Sequence, residues 1–223
     1  MNVVTPVHHM PPRGRYLADE VGQLAGVSGK RIGQWARSGY IRSSQSSGPP
    51  RVYSFQDVAE AMVVHELIER GVRRSDIKRA VDTLRSEYGD WPLTHAPLST
   101  GTGPGAKRAS VVVERGASHY DVGQQRWQRV ISVESLRRIA EDLHRGGWVV
   151  RDVPSLEHIE VDPDRLSGQP TIRGRRLAAE DVAEIAEGPD GFELLRDGYD
   201  LSDEEIDDAV RWWRASRALT MAA

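Results

Sequence analysis

The sequence of 223 residues contains no cysteine. Disulfide bonds, thiolate zinc sites and cysteine nucleophiles are therefore excluded, and a reducing, cytoplasmic setting is the expectation. No apolar run approaches the ~18 residues that a membrane-spanning helix needs, and the first residues lack the apolar stretch of a signal peptide. Hydrophobic residues make up 39% and charged residues 28% of the chain, which is typical of a folded globular protein without a membrane segment.

Lysine is also scarce, with three lysines beside 27 arginines, and the balance of basic and acidic residues changes along the chain. Residues 1–90 hold 13 Lys and Arg against 10 Asp and Glu, and residues 91–150 hold 8 against 5. Residues 151–223 reverse this balance, with 9 basic against 18 acidic residues. Because binding to phosphates requires a surplus of cations, only the front of the chain suits nucleic acid.

The periodicity near the start predicts a helix-turn-helix. Apolar residues at helical spacing from Leu17 predict a first helix, which ends at a tight Gly-Val-Ser turn. Ser28 is a suitable N-cap for a second helix that turns Ile32 and Trp35 inward and ends at Gly39. Two short helices joined by such a turn form the usual DNA-reading motif.

A polar, Ser/Gly/Pro-rich tip follows between two β-prone stretches and predicts a two-stranded hairpin, and two apolar helices come after it. In a helix-turn-helix the solvent face of the second helix enters the major groove, and a hairpin beside it contacts the backbone as a wing. Gln can pair with adenine edges, and Arg with guanine edges or phosphates. The candidate DNA-binding residues are Lys30, Arg31, Gln34 and Arg37 on the second helix and Arg42 and Arg51 beside the wing.

Residues 16–88 resemble the MerR-type winged helix-turn-helix domain. The similarity rests on YLADEVGQLAGVSGKRIGQWARSGYI and on the RVYSFQDV segment after the wing. It implies binding of operator double-stranded DNA, usually as a homodimer on a palindromic site. Gly33 and Gln34 stand where the family commonly has an Arg and an aromatic residue, so the base preference should differ. The helix after Ser75 is predicted to end near Gly89, too short for a long antiparallel coiled coil, so another region would have to form a dimer.

The middle of the chain is less informative. Residues 89–110 are rich in Pro, Gly, Ser and Thr and predict a linker or a long irregular loop. Residues 111–156 predict a small α+β region, with one strand in SVVVERG, a second in RWQRVI and a helix in VESLRRIAEDLHRGG. The helix would place Leu136, Ile139, Ala140 and Leu143 on one side.

Residues 157–217 predict a C-terminal domain with a β-arm and three helices in a helix-turn-helix-like shape. The segment from Gly168 through Gly174 and on to RRL resembles domain-of-unknown-function family 433, which is found in VapB-type antitoxins; Arg175 stands where Thr is usual. The last helix opens on a capping box at Ser202 and is acidic, so it would repel phosphate and suits a protein partner. Two adjacent tryptophans cannot both face one core. The candidate partner-binding residues are Arg211, Trp212, Trp213, Arg214 and Arg217.

The predicted fold is therefore mainly α, with an N-terminal winged helix-turn-helix and a small α+β middle region before the C-terminal domain. By resemblance, the chain is expected to be an antitoxin of a type II toxin-antitoxin system, which neutralises a PIN-type ribonuclease toxin and autoregulates its operon. The alternative is a stand-alone MerR-like regulator whose acidic C-terminal domain dimerises or senses a ligand. No catalytic residue, cofactor or metal is expected, because helix capping explains the acidic cluster of Asp203, Glu204, Asp207 and Asp208 without Mg²⁺.

Overall fold

The computed structural model describes residues 12–102, 108–115, 118–123, 132–135, 156–162 and 164–221, and these are mainly helical. The helices are α1 (Ala18–Ala25), α2 (Gly29–Ser38), α3 (Phe55–Glu69), α4 (Arg74–Tyr88), α5 (Pro92–His95), α6 (Ala179–Ala186), α7 (Gly191–Tyr199) and α8 (Asp203–Met221). The strands are β1 (Leu98–Thr102), β2 (Ser110–Arg115), β3 (Ser118–Asp121), β4 (Ser132–Ser135), β5 (Ile159–Val161) and β6 (Pro170–Ile172). Within these ranges, no helix is both long enough and apolar enough to span a membrane.

The predicted helix-turn-helix is confirmed. The Ser28 side chain accepts a hydrogen bond from the Arg31 backbone at the start of α2, as an N-cap does. Gly39 follows α2 with φ of 75°, a left-handed conformation that glycine adopts without steric cost and that ends the helix. Caps at both ends therefore fix the length of α2, and the local sequence alone is sufficient to predict it.

A single apolar core lies beneath these helices. Ile32 and Trp35 of α2 are 0% and 1% exposed and belong to the same cluster as Leu67 of α3 and as Ile77 and Leu84 of α4. Burial of such side chains contributes about 1.5–3 kcal/mol each, relative to leaving them in water. The inward face of α2 is thus committed to the core, and its outward face stays in solvent.

The wing between α2 and α3 is smaller than the predicted hairpin. Of the two β-prone stretches, only Ser46 and Val52 pair, and they exchange backbone hydrogen bonds of 3.0 Å in both directions. Gln45 adds a bond of 3.2 Å from its backbone nitrogen to the Val52 carbonyl. A ladder of this length is too short to hold its own position, so the wing depends on side chains outside it.

The predicted linker over residues 89–110 differs from the structure, which places α5 and β1 within it. Trp91 and Leu93 are buried, and β1 is an inner strand of the antiparallel sheet β3-β2-β1-β4, with Leu98 opposite Val113. The Pro- and Thr-rich composition is typical of a loop, but burial of a few large side chains and pairing with distant strands override it. Residues 91–102 are therefore part of the folded core.

The rest of the middle region matches the prediction in part. The strand in SVVVERG is confirmed as β2. The predicted helix from Val133 is wrong at its start, because residues 132–135 form β4 and pair with β1. The remainder of that helix, with Leu136, Ile139, Ala140 and Leu143, lies outside the described residues, as does the predicted strand over 126–131.

The C-terminal residues form a β5–β6 hairpin, with Ile159 opposite Ile172, followed by α6, α7 and α8. The capping box predicted at Ser202 is confirmed, since its backbone nitrogen donates to Glu205 at 2.9 Å and its hydroxyl accepts from the Glu205 backbone at 3.2 Å. Helix α8 also contacts α1 of the helix-turn-helix. The N-terminal and C-terminal parts of the chain therefore pack against each other.

Glu60 of α3 is a buried carboxyl in this core. Its Oε1 atom accepts hydrogen bonds from the backbone nitrogen of Thr94 at 2.8 Å and from its hydroxyl at 3.2 Å. Burial raises the pKa of Glu60 from 4.5 to about 8, and hydrogen bonds from Thr94 and Leu93 offset only part of that rise. The folded chain therefore keeps a proton that the unfolded chain releases. The contribution of Glu60 to stability falls as the pH rises from 4.5 to about 8 and does not change further above that pH.

Glu60→Gln should remove this pH dependence, because the amide keeps an acceptor oxygen and never ionises. Between about pH 5 and 8 the folding equilibrium constant of the unmodified chain should fall by up to about tenfold per pH unit relative to that of the variant. Urea unfolding at several pH values measures the difference. Glu69→Gln, an exposed site on the same helix, is the control and should keep the wild-type slope. Parallel curves for E60Q and the unmodified chain would contradict the prediction.

Candidate nucleic-acid interface

The approach of α1 to α2 sets the orientation of the candidate DNA-reading helix. A Cβ on Gly22 would lie 2.5 Å from the Val27 carbonyl oxygen and 2.8 Å from the Gly29 nitrogen, so a larger residue cannot stand there. The Val27 nitrogen donates to the Gly22 carbonyl at 2.8 Å and closes the turn. The turn therefore has little freedom, and α2 is held as a rigid element on the core.

The outward face of α2 carries the four predicted DNA contacts. Lys30, Arg31, Gln34 and Arg37 are all exposed. Positions 30, 34 and 37 follow the i, i+4, i+7 spacing that places side chains on one face of a helix. In the part of the chain that the structure describes, none of the four side chains donates a hydrogen bond to another protein group. Their donors and the Gln34 amide are thus available to a ligand.

Arg51 and Arg37 both lie near one tyrosine, which brings the wing and α2 together. Tyr53 follows the wing and is buried. Burial raises the pKa of its hydroxyl, and the positive charges of Arg51 and Arg37 oppose that rise. The charge of Arg51 beside the wing and that of Arg37 on α2 therefore both act on Tyr53.

Arg42, the remaining predicted contact, is exposed but already has a partner. It forms an ion pair with Asp90, and the two side chains are 43% and 36% exposed. Ion pairs between exposed groups contribute little to stability and exchange readily. Arg42 can therefore reach a phosphate only by leaving Asp90, and among the predicted contacts it is the one with an acidic competitor.

Asp57 is the residue that holds the wing, and its role was not predicted. It is fully buried; its Oδ2 accepts from the Ser44 backbone at 2.7 Å, the Ser44 hydroxyl at 2.6 Å and the Ser54 backbone at 2.9 Å. Its Oδ1 accepts from the Trp91 indole at 2.8 Å. The Ser-x-x-Asp spacing at the start of α3 is the one sequence signal for part of this, since it is typical of a capping box.

The predicted partner-binding residues of α8 differ in how far the structure buries them. Trp212 is 3% exposed and packs in the core, so its prediction as a partner contact is wrong for the folded chain. Adjacent residues on a helix point about 100° apart, which is why only one of the two tryptophans takes the core position. Trp213 is half-buried, with the Arg217 guanidinium 5.3 Å from its ring centroid. Arg211, Arg214 and Arg217 are all exposed, and Arg211 also donates to Asp208 at 3.0 Å.

Asp208 has a structural role in the C-terminal domain. It is buried, and its Oδ2 accepts from the backbone nitrogens of Glu157 and His158 at 2.9 and 3.0 Å and lies 3.0 Å from the His158 ring nitrogen. Asp203, Glu204 and Asp207 are exposed. Over the described ranges, no group of three or more acidic, His or Cys side chains is arranged to hold a metal ion.

Arg175, which departs from the usual Thr of the C-terminal motif, has a structural use. Its guanidinium donates to the carbonyls of Tyr199 at 3.0 Å and Asp200 at 2.6 Å, at the end of α7. It also lies 3.4 Å from Glu205 of α8. Cations are favoured at helix C-termini, where carbonyls lack partners. The substitution therefore ties the β-arm to the turn between α7 and α8.

Two known families match separate parts of the chain. Residues 16–84 match the MerR HTH family of regulatory proteins, and residues 159–212 match the protein family of unknown function DUF433. The chain carries a MerR-family helix-turn-helix domain and a DUF433 domain. The MerR-family domain contains all six predicted DNA contacts, and the DUF433 domain contains Arg211 and Trp212 at its end.

Similar proteins come from Mycobacterium tuberculosis. The uncharacterized protein Rv2308 is 27% identical over 240 residues, which cover 97% of each chain. The uncharacterized HTH-type transcriptional regulator Rv1830 is 35% identical over 74 residues, which cover 31% of this chain and 33% of that protein. The X-ray crystal structure of Rv2018 has a TM-score of 0.54 at 15% identity and covers 87% of this chain and 96% of its own. At that identity the likeness concerns the fold.

Proposed function

We propose that this chain is a transcriptional regulator that binds operator DNA by placing α2 of its MerR-family domain in the major groove. The observation that carries the proposal is that α2 is buried on one face and exposed on the other. Ile32 and Trp35 seal one face into the core, while Lys30 and Arg37 stand on the opposite, solvent-facing side. A major groove about 12 Å wide admits a helix presented in this way.

The exposed residues suit both parts of DNA recognition. Gln34 can pair with the edge of adenine, and Arg31 or Arg37 with guanine or with phosphate. Arg51 lies beside α2, where a wing would contact the neighbouring backbone. The similarity of residues 16–84 to a family of regulatory proteins supports the same assignment. A homodimer on a palindromic site in front of the chain's own operon is the finer form of this proposal.

Lys30→Ala with Arg37→Ala should weaken binding to the duplex upstream of the gene by about tenfold or more, because each lost base contact costs about 1–3 kcal/mol. Each lost phosphate contact should also lower the slope of log affinity against log salt by about one. Fluorescence anisotropy titrations at several salt concentrations measure both quantities. The full-length chain is used throughout.

The control removes two positive charges elsewhere. Arg176 and Arg196 are exposed residues of the DUF433 domain, and Arg176→Ala with Arg196→Ala changes the net charge by the same amount. This variant should bind within about twofold of the unmodified chain, because charges farther from the duplex than a Debye length are screened. Equal losses for both double variants would mean that only net charge matters and would overturn the proposal.

The finer assignment as a type II antitoxin is a second candidate. It would add neutralisation of a PIN-type ribonuclease to DNA binding, with Arg214 and Arg217 as exposed cations able to reach an acidic nuclease site. The resemblance of residues 157–213 to DUF433 proteins supports it. A PIN-fold nuclease that co-purifies from the native cell would favour the antitoxin, whereas its absence would favour the stand-alone regulator.

A further inference from the structure

A short N-terminal segment, residues 12–16, lies between the wing and the DUF433 domain; we refer to it as the strap. On the side of the MerR-family domain, Tyr16 and Tyr53 exchange backbone hydrogen bonds of 2.9 Å. The Gln45 amide of the wing donates to the carbonyls of Pro12 at 2.9 Å and Gly14 at 2.8 Å. The strap backbone therefore holds the Gln45 side chain of the wing in place.

The opposite side of the strap contacts one turn of the DUF433 domain, residues 164–168. The Arg13 guanidinium donates to Asp164 at 2.7 Å, and the Arg15 backbone donates to the Ser167 carbonyl at 2.9 Å. The Tyr16 ring packs against the backbone of Gly168, so closely that no side chain fits there. These contacts span about 150 residues of sequence and join the two domains at one place.

The turn itself has an unusual backbone. Leu166, Ser167 and Gly168 have successive φ angles of 45°, 60° and 92°. Non-glycine residues rarely occupy this region, and they persist there when surrounding contacts hold them. The Ser167 carbonyl and Gly168 are the points that touch the strap, so the strap contributes to holding the turn and the turn to holding the strap.

The wing is the part of the candidate interface that such a contact can move. Helix α2 is fixed by the core through Ile32 and Trp35, whereas the wing has a single pair of bridging residues, the Asp57 contacts and the Gln45–strap bonds. Local stability follows the number of buried and hydrogen-bonded contacts. A change in the strap would therefore alter the wing and leave α2 in place.

We propose that the turn at residues 164–168 sets the position of the wing through the strap, and so tunes the affinity of the MerR-family domain for DNA. This inference rests on the proposed function and adds a regulatory role for the DUF433 domain. Asp164 and Arg13 act as positioning residues, because neither lies on α2 or on the wing. By linkage, any event that displaces the turn weakens DNA binding, and bound DNA holds the turn more firmly.

The test is Asp164→Arg in the full-length chain, with two measurements. The Arg13 and Asp164 side chains are 37% and 60% exposed, so the expected effects are moderate. Hydrogen exchange without DNA should show faster exchange of the wing amides of Gln45, Ser46 and Val52, by about two- to fivefold. Affinity for the upstream duplex should fall by about two- to fivefold. The added positive charge alone would strengthen DNA binding, so a loss of affinity has the sign opposite to the electrostatic effect.

Two further variants complete the experiment. Arg13→Asp with Asp164→Arg reverses the ion pair and should restore both wing protection and affinity, which a general folding defect would not allow. Asp197→Arg, at an exposed site of α7, changes the charge by the same amount and should leave wing exchange unchanged. Wild-type wing exchange in D164R, or faster exchange with unchanged affinity, would overturn the inference. Failure of the unmodified chain to bind any duplex would instead overturn the proposed function.

Discussion

Asp57→Ala is expected to lower the free energy of unfolding by about 4 kcal/mol, because each buried donor left without an acceptor costs about 1–3 kcal/mol. The carboxylate is fully buried and accepts four hydrogen bonds, of 2.6 to 2.9 Å, from Ser44, Ser54 and Trp91. Alanine removes every acceptor, and the Ser54 and Trp91 donors, whose hydrogen bonds to Asp57 are buried, are left without a partner. The midpoint of urea unfolding, followed by far-UV circular dichroism, measures the loss.

Two further variants show how much of this loss comes from the hydrogen bonds of Asp57 and how much from removing any acidic residue of α3. Asp57→Asn keeps one acceptor oxygen and turns the other position into a donor, so it should lose about half as much stability as D57A. Glu69→Ala removes an exposed acid from the same helix and should stay within about 0.5 kcal/mol of the unmodified chain. A D57A loss below about 1 kcal/mol would show that the Ser44 and Trp91 donors find other partners.

The candidate DNA interface was predictable because its signals are local. A cap at Ser28, a glycine at position 39 and apolar residues at 32 and 35 determine where α2 begins, where it ends and which face it buries. Once the buried face is known, the exposed face follows from the 3.6-residue period. The same reasoning identified the capping box of α8, since Ser202 and Glu205 are three residues apart.

The contacts that hold this interface in place could not be predicted in the same way. Asp57 and Trp91 are 34 residues apart, and Arg13 and Asp164 are 151 apart. Pairings of this kind depend on the assembled fold and leave no periodic trace in either segment. The residues around Trp91 and Leu98 are an example of a wrong prediction with this cause. Their composition indicates a loop, although they form a helix and an inner strand.

The tryptophan pair shows a partial success of the same reasoning. Neighbouring residues on a helix point about 100° apart, and the structure buries Trp212 while Trp213 packs half-buried against the same core. Which of the two is buried depends on how α8 packs on α6 and on β5, and the sequence of α8 does not contain that information. Trp213 is half-buried against the core, and its outer part contacts the guanidinium of Arg217.

Gly168→Ala is the second substitution with a large expected effect, a loss of about 3 kcal/mol of unfolding free energy. The φ of Gly168 is 92°, and an added Cβ would lie 1.7 Å from the Tyr16 hydroxyl oxygen and 2.3 Å from its ring carbon. Because Tyr16 is only 2% exposed, its ring cannot swing into solvent to make room. Overpacking costs about 1–3 kcal/mol, and the left-handed backbone costs an alanine about 1–2 kcal/mol.

Gly174→Ala isolates the backbone contribution. Gly174 has a comparable φ of 74°, but nothing lies within 4 Å of its hypothetical Cβ, so this variant should lose only about 1 kcal/mol. The difference between the two variants, measured by urea unfolding, is the cost of separating Tyr16 from the turn at residues 164–168. Equal losses would mean that the two domains pack less tightly at this point than the structure indicates. A larger loss for G168A, accompanied by faster exchange of the wing amides, would show that the junction between the domains contributes to the stability of the wing as well as to that of the turn.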